Sequence, residues 1–196
     1  MLAENLSAFV IAAFALTGSP GPATLGLSAA AAAFGLRRSL MLMAGIIAGV
    51  LLVFAAAAAG LTGLILAQPL LGPLVKAASI LYMLWLAWSI ATAPPLSDTA
   101  SGHAPSFWGG MFLGLGNPKA YAAMAALSSG FVLAAAPISD ALLKAGILLA
   151  VMIVVDLAWL LAGAALARTM RNPTWSRAIN IAFAVSLLAS VAAGFL

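Results

Sequence analysis

Long apolar stretches alternate with short polar joints along the whole chain, and this pattern predicts an all-α membrane protein. A transmembrane helix needs about 20 mostly apolar residues. Six stretches reach that length, and we therefore predict six transmembrane helices in one transmembrane domain over residues 1–196. The six stretches cover residues 6–34, 40–66, 74–92, 106–133, 139–167 and 175–196.

The longest polar joint, residues 93–105, divides the predicted helices into two groups of three. Each group contains one helix that is interrupted by proline near its middle, and in each group it is the first helix. Because three is an odd number, the second group enters the membrane in the opposite sense to the first. This arrangement predicts two inverted three-helix repeats, at about 1–95 and 104–196, although the flanking sequences do not match.

The interruption in the fourth helix places a charge inside an apolar segment. Asn117, Pro118 and Lys119 lie between 107–115 and 120–133, which contain no other ionisable residue. A lysine at bilayer depth costs about 3 kcal/mol on insertion scales, so it usually faces a bundle interior or a water-filled cavity. The alternative is that Lys119 extends to the headgroups, but it lies about 13 residues, or about 20 Å at 1.5 Å per residue, into its segment.

The interruption in the first helix is Ser19-Pro20-Gly21-Pro22. Proline donates no backbone hydrogen bond, and carbonyl groups near it lose their helical partners. Lipid cannot satisfy those groups, so protein or a wet cavity must do so. Both breaks could be simple kinks, yet interrupted helices in corresponding halves favour a central site for an anionic group. The predicted substrate-binding residues are Ser19, Pro20, Gly21, Pro22, Asn117, Pro118 and Lys119.

Asp156 is the one acidic residue well inside a predicted helix. It could pair with Lys119 or carry a coupled proton, since charged groups inside membranes commonly mark proton relays. The alternatives are a structural hydrogen bond to another helix, or a position near the cytoplasmic mouth. Four further polar residues could line a pathway, although such residues more often bond between helices: Thr17, Tyr82, Tyr121 and Asn180.

Small residues recur at a spacing of four in Gly45-xxx-Gly49 and Gly110-xxx-Gly114. This spacing suits close helix contact and could also support a homodimer. A chain so rich in alanine and glycine produces such spacings by chance, so no prediction depends on them.

Composition narrows the functional classes. The chain is 65% hydrophobic and 6% charged, whereas a soluble domain carries about 25% charged residues. The net charge of +4 therefore does not indicate a nucleic-acid partner. Cysteine is absent, which excludes disulfides and thiolate chemistry. The N-terminal apolar run carries Glu4 and no basic start, so we expect a retained first helix.

Basic residues near helix ends predict the orientation, because lysine and arginine concentrate on the cytoplasmic side. With both termini outside, the cytoplasmic joints hold Arg37, Arg38, Arg168, Arg171 and Arg177, against Lys76 and Lys144 on the other side. The tryptophans at the predicted inner ends agree with this orientation: Trp85, Trp88, Trp108 and Trp175.

The sequence resembles the LysE-type family of amino-acid exporters along nearly its whole length. The two strongest markers are the Pro-Gly-Pro of the first helix and the Asn-Pro-Lys of the fourth. Weaker markers, in order, are Gly35 with Arg37, Gly45-xxx-Gly49, Lys76, Tyr82, Gly109, Phe131 and Asn180. The resemblance implies a multi-pass exporter in the bacterial inner membrane that moves amino acids or related metabolites using the proton gradient, and the basic residues predict that both termini are periplasmic.

Three other functions explain the sequence less well than export of small metabolites does. A divalent metal exporter, the main alternative, needs clustered carboxylate, imidazole or thiolate ligands, whereas the predicted helices offer one central carboxylate, no histidine and no cysteine. A membrane enzyme lacks a visible nucleophile and base. A scaffold leaves the polar breaks unexplained. The chain has no ATP-binding motif, so a secondary active exporter without cofactor is predicted, with a small molecule and the lipid bilayer as partners.

Overall fold

The computed structural model describes residues 2–60, 71–92, 106–166 and 172–195, and these ranges contain helices and no strand. The prediction of an all-α protein is confirmed for this part of the chain. Eight helices are described: α1 Leu2–Gly18, α2 Pro22–Phe34, α3 Leu36–Ala58, α4 Leu71–Ala91, α5 Phe107–Leu115, α6 Pro118–Ser129, α7 Pro137–Ala165 and α8 Pro173–Phe195.

The six predicted segments correspond in order to α1–α2, α3, α4, α5–α6, α7 and α8. By length and apolar composition alone, α3 and α7 could each cross a membrane, and the number rises to three if α1 and α2, bent by 58°, form one span. The predicted joint at 93–105 lies outside the described residues, as do most of the joints at 67–73 and 168–174, Arg168, Arg171 and the predicted segment ends at 66, 167 and 196.

Both interruptions lie at the predicted positions. α1 ends at Gly18 and α2 begins at Pro22; α5 ends at Leu115 and α6 begins at Pro118. In each case proline occupies the first residue of the new helix, where its missing N–H is not needed. The sequence therefore divides two long helices into four shorter ones.

The junction between α2 and α3 is a single residue. Gly35 has φ 84°, a left-handed conformation that glycine adopts without steric cost. α3 consequently begins four residues earlier than the predicted start at residue 40, and Arg37 and Arg38 lie exposed in its first turn.

The fourth segment ends earlier than predicted. α6 stops at Ser129, whereas the sequence pattern extended the helix to residue 133. A buried ion pair one helix turn apart on α7 explains the difference. Lys144 Nζ donates to the Ser128 carbonyl at 2.8 Å and to the Phe131 carbonyl, while Asp140 Oδ1 accepts from the N–H groups of Leu133 and Ala134. The two side chains thus bond to backbone N–H and carbonyl groups at and after the end of α6, which would bond within the helix if it continued.

The two glycine motifs form the closest helix contact in the described chain. A Cβ atom at Gly49 would lie 2.5 Å from the Met111 carbonyl oxygen, and one at Gly114 would lie 2.7 Å from that of Ile46. Added Cβ atoms at Gly45 and Gly110 would overlap backbone atoms of the opposite helix. Setting these spacings aside as chance was therefore wrong: they bring α3 and α5 into backbone contact.

The α3–α5 pair is parallel, because its contacts advance in the same direction along both helices. The α1–α2 unit packs against α7 in the same parallel manner: Gly18 faces Val155, and ten residues later the Ser28 backbone meets Gly163. α4 packs mainly against α8. Each of these pairings joins a helix before the 93–105 joint to one after it.

Candidate functional site

A small cavity lies where both helix breaks meet α3 and α7. The volume open to the centre of a water molecule is about 40 Å³. Since one water requires about 10–15 Å³ on this measure, the cavity has room for about three waters. An amino acid could enter only if the surrounding helices separated. The lining residues are Leu16, Thr17, Gly21, Ala23, Thr24, Ile46, Val50, Asn117, Lys119, Ala120, Ala123, Met124, Met152 and Asp156.

The first turns of α2 and α6 both border this cavity. Ala23 and Thr24 come from α2, and Lys119 and Ala120 come from α6. The first N–H groups of a helix have no partner within it and carry a partial positive charge. Two helix N-termini and one ammonium group therefore surround the same small space, an arrangement suited to an anionic group.

A short polar side chain closes the start of each new helix, from the residue before the proline in α6 and from the third helical residue in α2. Asn117 Oδ1 accepts from the N–H of Lys119 at 3.1 Å. At the other break, Thr24 Oγ1 accepts from the N–H of Gly21 at 2.9 Å and donates to the Gly21 carbonyl at 3.2 Å. These short polar side chains fix the direction in which α2 and α6 leave the breaks.

The carbonyl groups at the end of α1 accept hydrogen bonds from two other helices. Trp159 Nε1, on α7, donates to the Gly18 carbonyl at 3.1 Å. Lys119 Nζ, on α6, donates to the carbonyl of Ser19. The break in the first segment is thus satisfied by side chains that lie more than 90 residues away in sequence.

The side chain of Lys119 passes directly over Gly21. A Cβ atom at Gly21 would lie 3.1 Å from Lys119 Cδ and 3.3 Å from Nζ. Gly21 has an extended backbone that any residue could adopt, so the need for glycine here is one of space. The glycine between the two prolines allows the lysine to reach the first break.

Asp156 reaches the cavity from the middle of α7. It is 4% exposed, and its Oδ2 atom has no hydrogen-bond partner among the described residues. Lys119 lines the same cavity, yet within the described ranges no ion pair joins the two side chains. A buried carboxylate oxygen without a partner is costly and therefore suits a group that binds there transiently.

The structure brings five of the predicted residues together at the cavity. Thr17, Gly21, Asn117, Lys119 and Asp156 line it. Ser19 contributes its carbonyl to Lys119, Pro20 is exposed, and Pro22 and Pro118 begin helices rather than facing the cavity. Thr17 uses its hydroxyl within α1, where it donates to the Ala13 carbonyl at 2.7 Å.

Two of the remaining weak candidates, Tyr121 and Asn180, are not among the residues that line this cavity. Tyr121 lies on α6 and packs against the apolar core. Asn180 is fully buried on α8 and is not among the lining residues. Tyr82 lies in α4, and its side chain is outside the described part of the structure.

Sequence reasoning missed Trp159 and Thr24. Trp159 follows Asp156 by three residues and therefore shares its helix face, so the position of Asp156 pointed to it. Thr24 follows Gly21 by three residues, the spacing at which a polar side chain caps a helix start. Met124 and Met152 also line the cavity, but methionines scattered through apolar segments were interpreted as packing residues.

A metal site receives no support from this geometry. Within residues 2–60, 71–92, 106–166 and 172–195, no three histidine, cysteine, aspartate or glutamate residues lie close enough to hold an ion. The main alternative of a divalent metal exporter has no ligand set in that part of the chain.

Comparison with known proteins identifies relatives over almost the whole chain. Residues 14–196 match the family described as LysE type translocator. The chain is 31% identical over 184 residues to the cysteine/O-acetylserine efflux proteins of Salmonella choleraesuis and Salmonella typhimurium, covering 93% of each sequence. It is 30% identical, with the same coverage, to the protein of that name in Escherichia coli. No solved structure matches the chain.

Proposed function

The chain belongs to the family of LysE type translocators, and on this premise we propose that it exports small amino acids or close derivatives across the bacterial inner membrane. It is a membrane transport protein. Relatives at about the same length are named for efflux of cysteine and O-acetylserine, which are both small zwitterions. We extend this substrate class, and coupling to the proton gradient, to this chain.

The central cavity is the observation that carries the proposal. A zwitterion needs an anion site and a cation site a few ångströms apart. Lys119 and the N-termini of α2 and α6 offer the first, and the unpartnered Oδ2 of Asp156 offers the second. Substrate carboxylate would meet α2 and α6, while the substrate ammonium would meet α7.

The rest of the cavity wall favours a small side chain. Most of its residues are apolar, among them Ala123, Met124 and Met152, which are at most 5% exposed. A short polar or thiol side chain could fit after a modest separation of the helices, whereas an aromatic side chain would require a much larger one. Methionine can adapt its shape to such a ligand because its side chain is unbranched and flexible.

The helix pairings support an architecture of six spans in two inverted repeats, at about 1–95 and 104–196 of a single domain. In such a repeat, α1–α2 corresponds to α5–α6, α3 to α7, and α4 to α8. The packing of α1–α2 on α7 then corresponds to the packing of α5–α6 on α3, and both of these parallel pairings are observed. The α4–α8 pair corresponds to itself. We retain the orientation with both termini periplasmic, which places Arg37 and Arg38 at the cytoplasmic surface.

The cavity suggests a transport cycle. Substrate enters from the cytoplasm, its carboxylate binds near Lys119 and its ammonium binds Asp156. The helices then rearrange around this fixed site and open it to the periplasm, as in other transporters with inverted repeats. Protonation of Asp156 from the periplasm would remove its charge and release the ammonium. Loss of that proton to the cytoplasm, once the site faces inward again, would restore the carboxylate and couple export to proton entry.

The proposal is tested by efflux from membrane vesicles preloaded with a panel of radiolabelled amino acids. The parent chain should export small zwitterions such as O-acetylserine, and Lys119→Met should reduce that efflux at least tenfold at equal abundance. Arg177→Met, which removes an exposed cation on α8, is the matched control and should export normally. Failure of the parent to export any amino acid would contradict the proposal, as would normal efflux by Lys119→Met.

A further inference from the structure

The two helix breaks differ in what holds them in place. The second break is closed by its own neighbours, because Asn117 bonds to the N–H of Lys119 and the N–H of Ala120 bonds back to the Asn117 carbonyl at 2.9 Å. At the first break, the carbonyls of Gly18 and Ser19 are bonded by side chains from α7 and α6. The first break also has local bonds between Gly21 and Thr24, but its Gly18 and Ser19 carbonyls depend on two other helices.

The two donors at the first break are chemically unlike. Trp159 offers one neutral N–H on a rigid, half-buried ring. Lys119 offers an ammonium group on a flexible chain, and it is bonded here to a neutral carbonyl. Both a carbonyl and a carboxylate can accept a charge-assisted hydrogen bond from an ammonium group, but only the carboxylate adds the attraction between two full charges. A carboxylate in the cavity would therefore compete for Lys119 and not for Trp159.

We propose that Lys119 and Trp159 form a latch on the α1–α2 break, in which Trp159 is the fixed positioning residue and Lys119 is the exchangeable one. The carboxylate of the substrate draws Lys119 away from the Ser19 carbonyl and frees the start of α2 to move. Trp159 keeps the end of α1 against α7 throughout, so α2 moves about a hinge between Ser19 and Pro22. The exchange step rests on the proposed function; the latch itself does not.

This latch gives a reason for an empty transporter to stay closed. Without substrate, Lys119 joins α6 to the end of α1 and bars separation of the helices around the cavity. With substrate, the same ammonium serves the ligand. Loading and unlocking become one event, which limits leakage of protons or other solutes through an empty site.

The absence of cysteine from the chain allows a direct test. A single reporter, Ala23→Cys, lies in the first turn of α2, lines the cavity and is 9% exposed in the parent residue. Its rate of modification by a charged methanethiosulfonate reagent is measured in vesicles without substrate. Removal of either hydrogen-bond donor should raise that rate, by about tenfold for Lys119→Met and about threefold for Trp159→Phe. The larger effect is expected for Lys119 because a hydrogen bond from a charged group contributes more net free energy than a neutral one.

Two control variants separate the latch from general loosening. Trp88→Phe removes the indole of an α4 residue that is 71% exposed and should leave the rate unchanged. Lys119→Arg retains a cationic donor and should restore a slow rate. Unchanged rates in both Lys119→Met and Trp159→Phe would overturn the latch, and so would an equal increase in Trp88→Phe. If Ala23→Cys fails to accumulate, Ala123→Cys on α6, which lines the same cavity, serves as the reporter.

Addition of O-acetylserine then tests the exchange. In the parent it should raise the modification rate to that of Lys119→Met, and in Lys119→Met it should have no further effect. If O-acetylserine is exported but leaves the rate unchanged, the exchange at Lys119 is wrong although the proposed function stands. If no amino acid is exported but both donor variants raise the rate, the latch stands and the proposed function is wrong.

Discussion

Gly49 of α3 and Gly114 of α5 face each other directly: a Cβ atom added to either one would lie 3.2 Å from the Cα atom of the other. Helices approach this closely only where both lack side chains. In a membrane this contact replaces the hydrophobic effect, which does not drive helices together in lipid. The α3–α5 contact is therefore a principal source of tertiary stability in this fold.

Substitution of Gly110 tests this contact. Gly110→Ala would push its methyl group into the backbone of α3, and neither helix can give way without separating. We expect a loss of about 1–3 kcal/mol in the free energy of unfolding, the usual range for overpacking. The measurement is the midpoint of thermal unfolding in detergent.

Gly146 provides the matched control for Gly110. It lies in the interior of α7, and a Cβ atom there would meet nothing within 4 Å. Gly146→Ala should be neutral or stabilising by up to about 1 kcal/mol, since alanine favours helix more than glycine does. Equal destabilisation by the two substitutions would contradict the proposed importance of the α3–α5 contact.

Gly21→Ala should impair transport without unfolding the protein. The new methyl group would lie 3.1 Å from Lys119 Cδ, and a flexible side chain can move away by a few tenths of an ångström. Lys119 would then be displaced from its position beside the cavity. We expect a several-fold rise in the KM for efflux at unchanged membrane abundance, with Gly146→Ala as the control. An unaltered KM would show that the position of Lys119 tolerates this displacement.

The Asp140–Lys144 pair should be strongly coupled. The Lys144 side chain is 3% exposed and that of Asp140 is 16% exposed, so Asp140→Asn would leave a buried cation beside neutral acceptors only. Breaking a fully buried pair costs about 3–5 kcal/mol, and the partial exposure of Asp140 should place the loss here below that range. The double variant Asp140→Asn/Lys144→Met removes both charges and should recover part of that loss in thermal unfolding. If the double variant is no more stable than Asp140→Asn, the pair is not coupled.

Asp156→Asn should affect transport and leave stability nearly unchanged, in contrast to Asp140→Asn on the same helix. Its Oδ2 has no partner in the described structure, so replacement by an isosteric amide breaks no bond there. If Asp156 carries the coupled proton, efflux by Asp156→Asn should be slow and should no longer respond to an imposed proton gradient. Efflux as fast as that of the parent, with the same pH dependence, would rule out the coupling role.

The sequence was informative where a residue type conflicts with its surroundings. Lys119 and Asp156 in apolar segments, and proline within long helices, are costly features that pointed to the residues around the cavity. The α3–α5 contact could not be predicted, because glycine spacing in such a chain has little meaning until its partner is known. The end of α6 at Ser129 was missed for a related reason: the decisive partners, Asp140 and Lys144, lie on the next helix and bond to backbone.

Trp159 illustrates a further limit of sequence reasoning. Its indole donates to the backbone carbonyl of Gly18, 141 residues away. Because every residue has such a carbonyl, the sequence does not indicate which one the indole will bond. The tryptophans at the predicted inner helix ends were interpreted as an aromatic belt, which stays a prediction. Two of them, Trp88 and Trp108, are 71% and 63% exposed. The half-buried Trp159 instead bonds to the backbone at the end of α1.

The pairing of helices across the 93–105 joint has a consequence for how the chain is made. During synthesis, α3 is made before α5, so the face of α3 that carries Gly45 and Gly49 has no helix to pack against until α5 is inserted. A fragment that ends at residue 92 would keep that face unfilled, and a fragment that starts at residue 106 would lack the complementary one. Neither fragment should accumulate when expressed by itself, but the two together should rebuild the transporter, because the contacts that unite them require no covalent link.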